Sequence, residues 1–453
     1  MYPFPFLKKI LTFRRTKRTC AASFCLYRLK DVLQVTDMAK QKATEYKIDT
    51  VSNLFPALGG HVYRQCAVFK EPVDLELLRK AVCSLSEAFP IMCSHLRKTF
   101  FSYVHEKATD LDVVNIGDPF VQRPPMFDTE KPSFLLFVDG CLLSMDVFHG
   151  NADGNSAIQF FKALVTNYAF LLRGLPLPPV KMPDEADLKD PYPMYYKPAK
   201  PASLSEKPSY HLHLARPESF YQRFSCISID VAGIKNQVKP LGYTVNDFLC
   251  ALLHQAILHT TDAAQSDLDV TISVPIDLRP FYHSNSQRNF VYYTNVRLSK
   301  DAAPDMASAM GVVHREVQAA MQEKVLRRGV AVAHKAANNL FVRCTPRAIK
   351  EFVIRKAYRH VAGGGLTTTL SNVGYHTLPP EAEACLKRFE MYLGAGFGGI
   401  NATAAGVKGR TSLCISCGSH ETVIEDEVCE ILKGYGIDFS RTQREYTDYR
   451  FEK

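Results

Sequence analysis

His149 stands four residues ahead of the Asp153-Gly154 pair in the stretch VFHGNADGN, residues 147–155. A histidine is the natural general base near neutrality, because its unperturbed pKa lies near 6.5 and its protonation responds to small changes in surroundings. Held at a strand end, an imidazole can take a proton from a hydroxyl or an amine. The Asp-Gly pair can turn the backbone, Gly154 permitting close approach or dihedrals closed to other residues. HxxxDG is short enough to arise by chance, and a lone histidine at a strand end is more often a packing residue. The elements around the motif therefore carry the weight.

Upstream, SFLLFVDGCLLSMDVFH (133–149) reads as a β-hairpin, with Asp139-Gly140 as the two-residue type I′ signal between apolar runs. Alternation along its second strand places Cys141, Leu143, Met145, Val147 and His149 on one face, and Leu142, Ser144, Asp146 and Phe148 on the other. Downstream, NSAIQFFKALVTNYAFLLRG (155–174) carries Ile158, Phe161, Val165, Tyr168 and Leu172 at helical spacing, with Gly174 as the C-terminal stop. The motif is thus a strand-to-helix turn. A helix is also expected over 74–89, where Leu75, Leu78, Val82 and Leu85 recur at helical spacing.

Later in the chain FSCISIDV (224–231) alternates like a strand, and GYTVNDFLCALLHQAILHT (242–260) reads as a helix with Thr244 and Asp247 near capping-box spacing. Strands are expected at VTISVPIDLRP (270–280), NFVYYTNV (289–296), LTTTLSNVG (366–374), RFEMYLGAGFGG (388–399) and TSLCISC (411–417), with a long helical region around 305–340. Strands interleaved with helices in both halves give an α/β chain. Leu175–Pro208 holds 9 of the 26 prolines, resists helix and sheet, and is the candidate linker. The organisation expected is a basic extension over 1–37, disordered or a start-site artefact, a first lobe over 38–174, the linker over 175–208, and a second lobe over 209–453.

The 453 residues are 46% hydrophobic and 22% charged, an ordinary globular composition. No apolar run approaches the roughly 20 residues of a spanning helix. The formal charge of +9 is concentrated in residues 1–37, where eight basic residues face Asp31 and Asp37; that segment's +6 leaves +3 for the rest. A nearly neutral body does not resemble a nucleic-acid binder, whose basic residues cluster on one face. The basic head fits a targeting segment, a membrane-surface arm, or sequence upstream of a true start at Met38. Thirteen scattered cysteines suit a reducing compartment, hence a cytoplasmic protein. Cys414 and Cys417 form a lone CxxC in a strand, where they would diverge, so core packing is expected for them. Gly394 to Gly399 satisfies GxGxxG, but the INATAAGVKGR that follows reads as loop-like, so the glycines are read as a turn or channel lining.

The ordered set of hairpin, HxxxDG, amphipathic helix, Pro-rich segment, VPIDLRP, NFVYYTNV and LSNVG resembles the chloramphenicol acetyltransferase-like superfamily. The similarity spans about residues 46–440 and is nearest the alcohol O-acetyltransferases, close to condensation domains and polyketide-associated acyltransferases. The resemblance implies two similar lobes with a central channel at their interface, donor and acceptor entering from opposite sides. It implies His149 as general base, with Phe148 at the position where the family motif HHxxxDG has its first histidine. Asp153 would be structural, pairing with Arg279 of VPIDLRP from the other lobe. The reaction implied is acyl transfer from an acyl-CoA or acyl-carrier-protein thioester to a small alcohol, with no covalent intermediate, no metal and no permanently bound cofactor.

Asn295, Ser371 and Asn372 are candidates for the oxyanion or the channel wall, and Lys408 and Arg410 for a coenzyme A phosphate. Amide formation on carrier-bound substrates, as in a condensation domain, is the alternative activity. An inactive scaffold of the same fold is the alternative of a different class. A monomer without a transmembrane segment is expected.

Overall fold

The computed structural model describes residues 46–448 except 53, 58–60, 118–126, 200–206, 216, 218–219, 362–364 and 396–398. The basic extension, 1–37, lies outside the described residues, as does Gly396. Tyr46–Lys453 forms one compact unit by contact.

Two large sheets dominate. A five-stranded sheet runs in the order Leu386–Leu393, Val62–Phe69, Leu142–Phe148, Phe134–Asp139, Val114–Ile116. A seven-stranded sheet runs Val291–Leu298, Val270–Asp277, Thr368–His376, Ile400–Val407, Arg410–Cys417, Phe220–Asp230, Phe439–Asp448. A small sheet of Tyr46–Lys47, Tyr103–Lys107 and Ser94–Lys98 accompanies them. The chain is an α/β protein, as the interleaving of strands and helices implied.

The hairpin is present with one displacement. Asp139 pairs with Leu142, so the two-residue loop is Gly140-Cys141, and only Gly140 takes positive φ, +54°. Glycine therefore occupies the first central position, as type II′ turns require, instead of the second position of the expected I′ turn. The pairing register moves with the loop, Val138 facing Leu143 and not Cys141, while the alternation of faces along each strand is unaffected. Leu143, Met145 and Val147 pack under the helices. On the opposite face Leu142 meets a cluster with Cys66 and Cys226, and Phe148 lies with Ile48, Leu96 and Tyr103.

The helix after the motif, Gly154–Leu172, begins where the Asp153 carboxylate accepts from Ser156 N at 2.7 Å. That bond satisfies one of the helix's orphan N–H groups. It ends near Gly174, whose φ of +65° a side chain would resist. The Thr244/Asp247 capping box starts the helix Val245–Thr260. The first predicted helix is shorter than expected: Leu75–Cys83 gives way to turns at Ser84, whose hydroxyl bonds back to Ala81 O. Leu85 still enters the core.

The halves interlock more than a linear division suggests. Leu386–Leu393, placed in the second lobe by sequence, is an antiparallel strand of the first lobe's sheet, with Met391 opposite Gln65. The core beside helix Gly154–Leu172 also takes Val373, Ala405 and Val407 from the later chain. INATAAGVKGR, expected as loop, is instead the central strand Ile400–Val407 and the turn after it. Ala402 and Ala404 face one core while Ala405 and Val407 face the other. Small residues buried on both faces leave no polar alternation to read. The linker holds the short helices Glu185–Leu188 and Pro191–Tyr195 and ties back to the first lobe through Asp190, which accepts from Thr50 N and Oγ1. Cys414 and Cys417 belong to separate core clusters, on opposite faces of their strand.

Candidate active site

His149 follows the last residue of strand Leu142–Phe148, and its N–H extends the ladder by donating to His61 O at 2.8 Å. Its ring stacks on Phe55, centroids 4.1 Å apart and planes at 15°, and meets the edge of Tyr63 at 5.0 Å. Aromatic contact on more than one side fixes the ring without a polar tether. Nδ1 is fully buried and has no hydrogen-bond partner, although the residue is partly exposed. Burial pushes the imidazole below its ordinary value, with its own backbone carbonyl, Asp153 and Asp49 opposing that push without overcoming it. The ring is neutral at pH 7 and able to accept a proton. Phe148, on the opposite face, is fully buried.

Asp153 does not point along with the histidine. Its carboxylate accepts from Arg279 Nη2, at 2.9 Å through Oδ2 and 3.1 Å through Oδ1, and from the N–H groups of Ser156 and Phe290 at 2.7 and 2.8 Å. Burial alone would raise this acid, but the Arg279 guanidinium and the backbone donors hold it below the usual carboxylate range. Arg279 is itself fixed by Asp277 at 2.7 Å and by carbonyls of Ser286 and Arg288 at 2.8 and 2.5 Å. Tyr63 OH lies 3.0 Å from the carbonyls of both Ala152 and Asp153, and Gln65 Nε2 donates to Gly154 O at 2.9 Å. A Cβ added to Gly154 would meet Met391 Cε at 3.1 Å and Val373 Cγ1 at 3.3 Å. Glycine is needed here for close approach of later chain segments.

A second buried ionic group, not singled out by any motif or spacing, lies behind the motif. Arg288 Nε is 3.6 Å from Asp49 Oδ2, and both side chains are fully withdrawn from solvent. Asn289 Nδ2 is 3.4 Å from Asp49 Oδ2 and also 3.4 Å from His149 O. Asp190 nearby is raised to about 6, by burial first and then by the Asp49 charge. Arg288 and Asn289 sit in a stretch without periodicity, SNSQRN, so only folding discloses their role.

The remaining candidates divide. Ser371 lies on the strand Thr368–His376 two residues before Val373, the residue that approaches Gly154, and so shares its face. Asn372 is engaged locally: its Nδ2 donates to Asn246 Oδ1 at 3.3 Å and its Oδ1 accepts from Gly374 N at 2.9 Å. Asn295 pairs with Ser273, which also pairs with Thr369, on the same sheet. Lys408 and Arg410 are at the turn joining Ile400–Val407 to Arg410–Cys417. Lys408 Nζ donates to Leu386 O at 3.0 Å; Arg410 binds Asp438 at 2.7 Å and Ser228 Oγ at 2.9 Å. Thr403, the partner of Ser371, is four residues from Val407, about 13 Å of strand, so the turn lies well along the sheet from the motif. Among the described residues no group of three or more His, Cys, Asp or Glu is placed to hold a metal ion.

No family model and no curated protein sequence matches the chain. Solved structures do. TRI101 of F. graminearum, complexed with coenzyme A and T-2 mycotoxin, is 13% identical over 88% of this chain and 100% of that chain, with a TM-score of 0.57. Polyketide synthase associated protein 5 from Mycobacterium tuberculosis is 13% identical over 86% and 99%, TM-score 0.54. The first condensation domain of the CDA synthetase is 14% identical over 87% and 95%, TM-score 0.54. At such identities the likeness is one of fold, and it extends over almost the whole of each of these proteins. The chain shares the fold of these solved structures, the fold expected from its resemblance to the chloramphenicol acetyltransferase-like superfamily.

Proposed function

We propose that this protein is an acyltransferase that moves an acyl group from a coenzyme A or carrier-protein thioester to an alcohol. The observation that carries the reading is His149: a neutral imidazole clamped between Phe55 and Tyr63 at a strand end, while Asp153 is turned aside into its bond with Arg279. Because Nδ1 is enclosed, Nε2 is the nitrogen that accepts the hydroxyl proton. The alcohol oxygen forms a bond to the thioester carbonyl carbon as that proton leaves. The tetrahedral oxyanion then collapses, the C–S bond breaks, and the imidazolium returns the proton to the departing thiolate. Ser371 is the proposed oxyanion donor, a group worth a few kcal/mol if it is oriented in advance. Coenzyme A as donor is supported by its presence in the complex with TRI101.

Thiol release from acetyl-CoA, measured against a panel of alcohols, tests the reading. Release should depend on the alcohol and fall by about 10²–10⁴-fold in His149→Ala. Equal turnover by His149→Ala and wild type would sink the mechanism. Turnover confined to carrier-bound thioesters with amine acceptors would instead select the condensation-type activity.

A further inference from the structure

Among the described residues, helix Arg347–Val361 is seated on the protein through the face that carries Arg347 and Glu351. Arg347 bonds Glu351 at 2.8 Å, Tyr103 OH at 3.3 Å and Thr99 O at 3.3 Å, and the helix packs against the short helix Leu54–Ala57 that carries Phe55. Its opposite face presents Ile349, Phe352 and Val353, at i, i+3 and i+4, exposed by 53, 59 and 56%. Large apolar side chains so exposed on one stripe are unusual for a surface that meets only water. Leu340 on the preceding short helix is 72% exposed. At the turn of the neighbouring hairpin, Phe100 and Phe101 are 70 and 46% exposed and edge to face with each other. That turn is bonded to the same helix: Arg347 N donates to Phe100 O at 2.9 Å, and Lys350 Nζ donates to Phe101 O.

Charge identifies the occupant. Residues 343–360 hold six Lys and Arg, at 343, 347, 350, 355, 356 and 359, against one acid, Glu351, already paired with Arg347. At 100° per residue Lys350 and Arg355 fall on the two flanks of the apolar stripe, and the Lys356 ammonium lies 5.1 Å from the Phe352 ring centroid. An apolar stripe with basic flanks is the pattern of a helix lying in a membrane interface, hydrocarbon below and anionic headgroups level with the cations. Residues 1–37, at +6, carry the same sign and so do not complement this face. Among the described residues no helix is long and apolar enough to cross a membrane, which leaves surface docking.

We infer that helix Arg347–Val361, with the Phe100-Phe101 turn beside it, docks this protein on an anionic lipid surface. The contact is independent of the acyl transfer proposed above, although it lies on the element that supports Phe55. The experiment is flotation of the full chain with phosphatidylcholine vesicles, with and without phosphatidylserine. Wild type should float with the phosphatidylserine vesicles only. Ile349→Ser/Phe352→Ser/Val353→Ser, and separately Arg355→Ser/Lys356→Ser, should each reduce partitioning by about tenfold or more, with unfolding midpoints retained because all these side chains are exposed. No flotation of wild type overturns the inference. So does flotation unchanged in both variants, which would place the lipid contact elsewhere in the chain. A shift from dimer to monomer in the apolar variant with flotation unchanged overturns it in favour of self-association.

Discussion

Arg279 Nη2 lies 2.9 Å from Asp153 Oδ2, joining residues 126 apart in the chain, with side-chain exposures of 12 and 2%. The bond pins the motif loop to the segment after strand Val270–Asp277. A buried pair adds little net stability, yet losing one partner strands a charge. Arg279→Ala should therefore lower the unfolding free energy by about 3–5 kcal/mol in urea titrations. The double variant with Asp153→Ala should cost clearly less than the two single losses added together. Simple additivity would mean that the two groups do not act as a pair.

The pH dependence of kcat/KM should report His149. Its pKa is lowered by burial, so the neutral base persists below its ordinary value of 6.5. The acid limb of the rate profile is expected below pH 6.5, with no loss of activity between pH 8 and that point attributable to this ring. An acid limb above 6.5 would contradict the buried, unpartnered environment described for the imidazole.

Stability should fall on acidification in a defined window. His254 and His376 are lowered from 6.5 to about 4 by burial, and His105 is well below its ordinary value for the same first cause. Below pH 6.5 the unfolded chain takes up protons that the native state refuses, so unfolding becomes easier until the native groups also titrate. Each of His254 and His376 accounts for up to about 3 kcal/mol across that window. Asp190, raised to about 6, acts in the opposite direction as pH falls through that value. Urea titrations at pH 7 and pH 5 measure the sum, and His254→Gln/His376→Gln should flatten the dependence.

Gly154 should tolerate no large side chain. Valine there must displace Met391 Cε and Val373 Cγ1, which a Cβ alone would approach to 3.1 and 3.3 Å. Gly154→Val should cost about 1–3 kcal/mol by overpacking. Shortening the flexible obstacle, as in Gly154→Val/Met391→Ala, should recover part of the loss. Thermal unfolding of the three proteins checks both statements, and a Gly154→Val protein as stable as wild type would contradict the close approach.

Local rules were sufficient wherever a segment's periodicity survived folding. The alternation that puts Phe148 opposite His149, the helix from the motif to Gly174, and the Thr244/Asp247 cap were all legible because each depends on residues a few positions apart. The Pro-rich stretch announced an irregular crossing, though not the short helices within it or its return to Thr50. Where the pattern was flat, the sequence was silent: Ile400–Val407, lined by small residues and buried on both sides, offered no alternation.

The sequence by itself determined an α/β chain with a histidine at the end of a strand, an aspartate ready to cap the next helix, and an arginine far along the chain. Only the tertiary structure decided what surrounds them. Leu386–Leu393 crosses into the first lobe's sheet, Phe55 and Tyr63 close on the imidazole, and Arg288 with Asp49 forms a buried ionic group behind the motif. The physical reason is range. Caps, turns and strand faces are settled between neighbours, whereas burial of a charge and the burial that lowers the His149 pKa depend on segments brought together only by the fold.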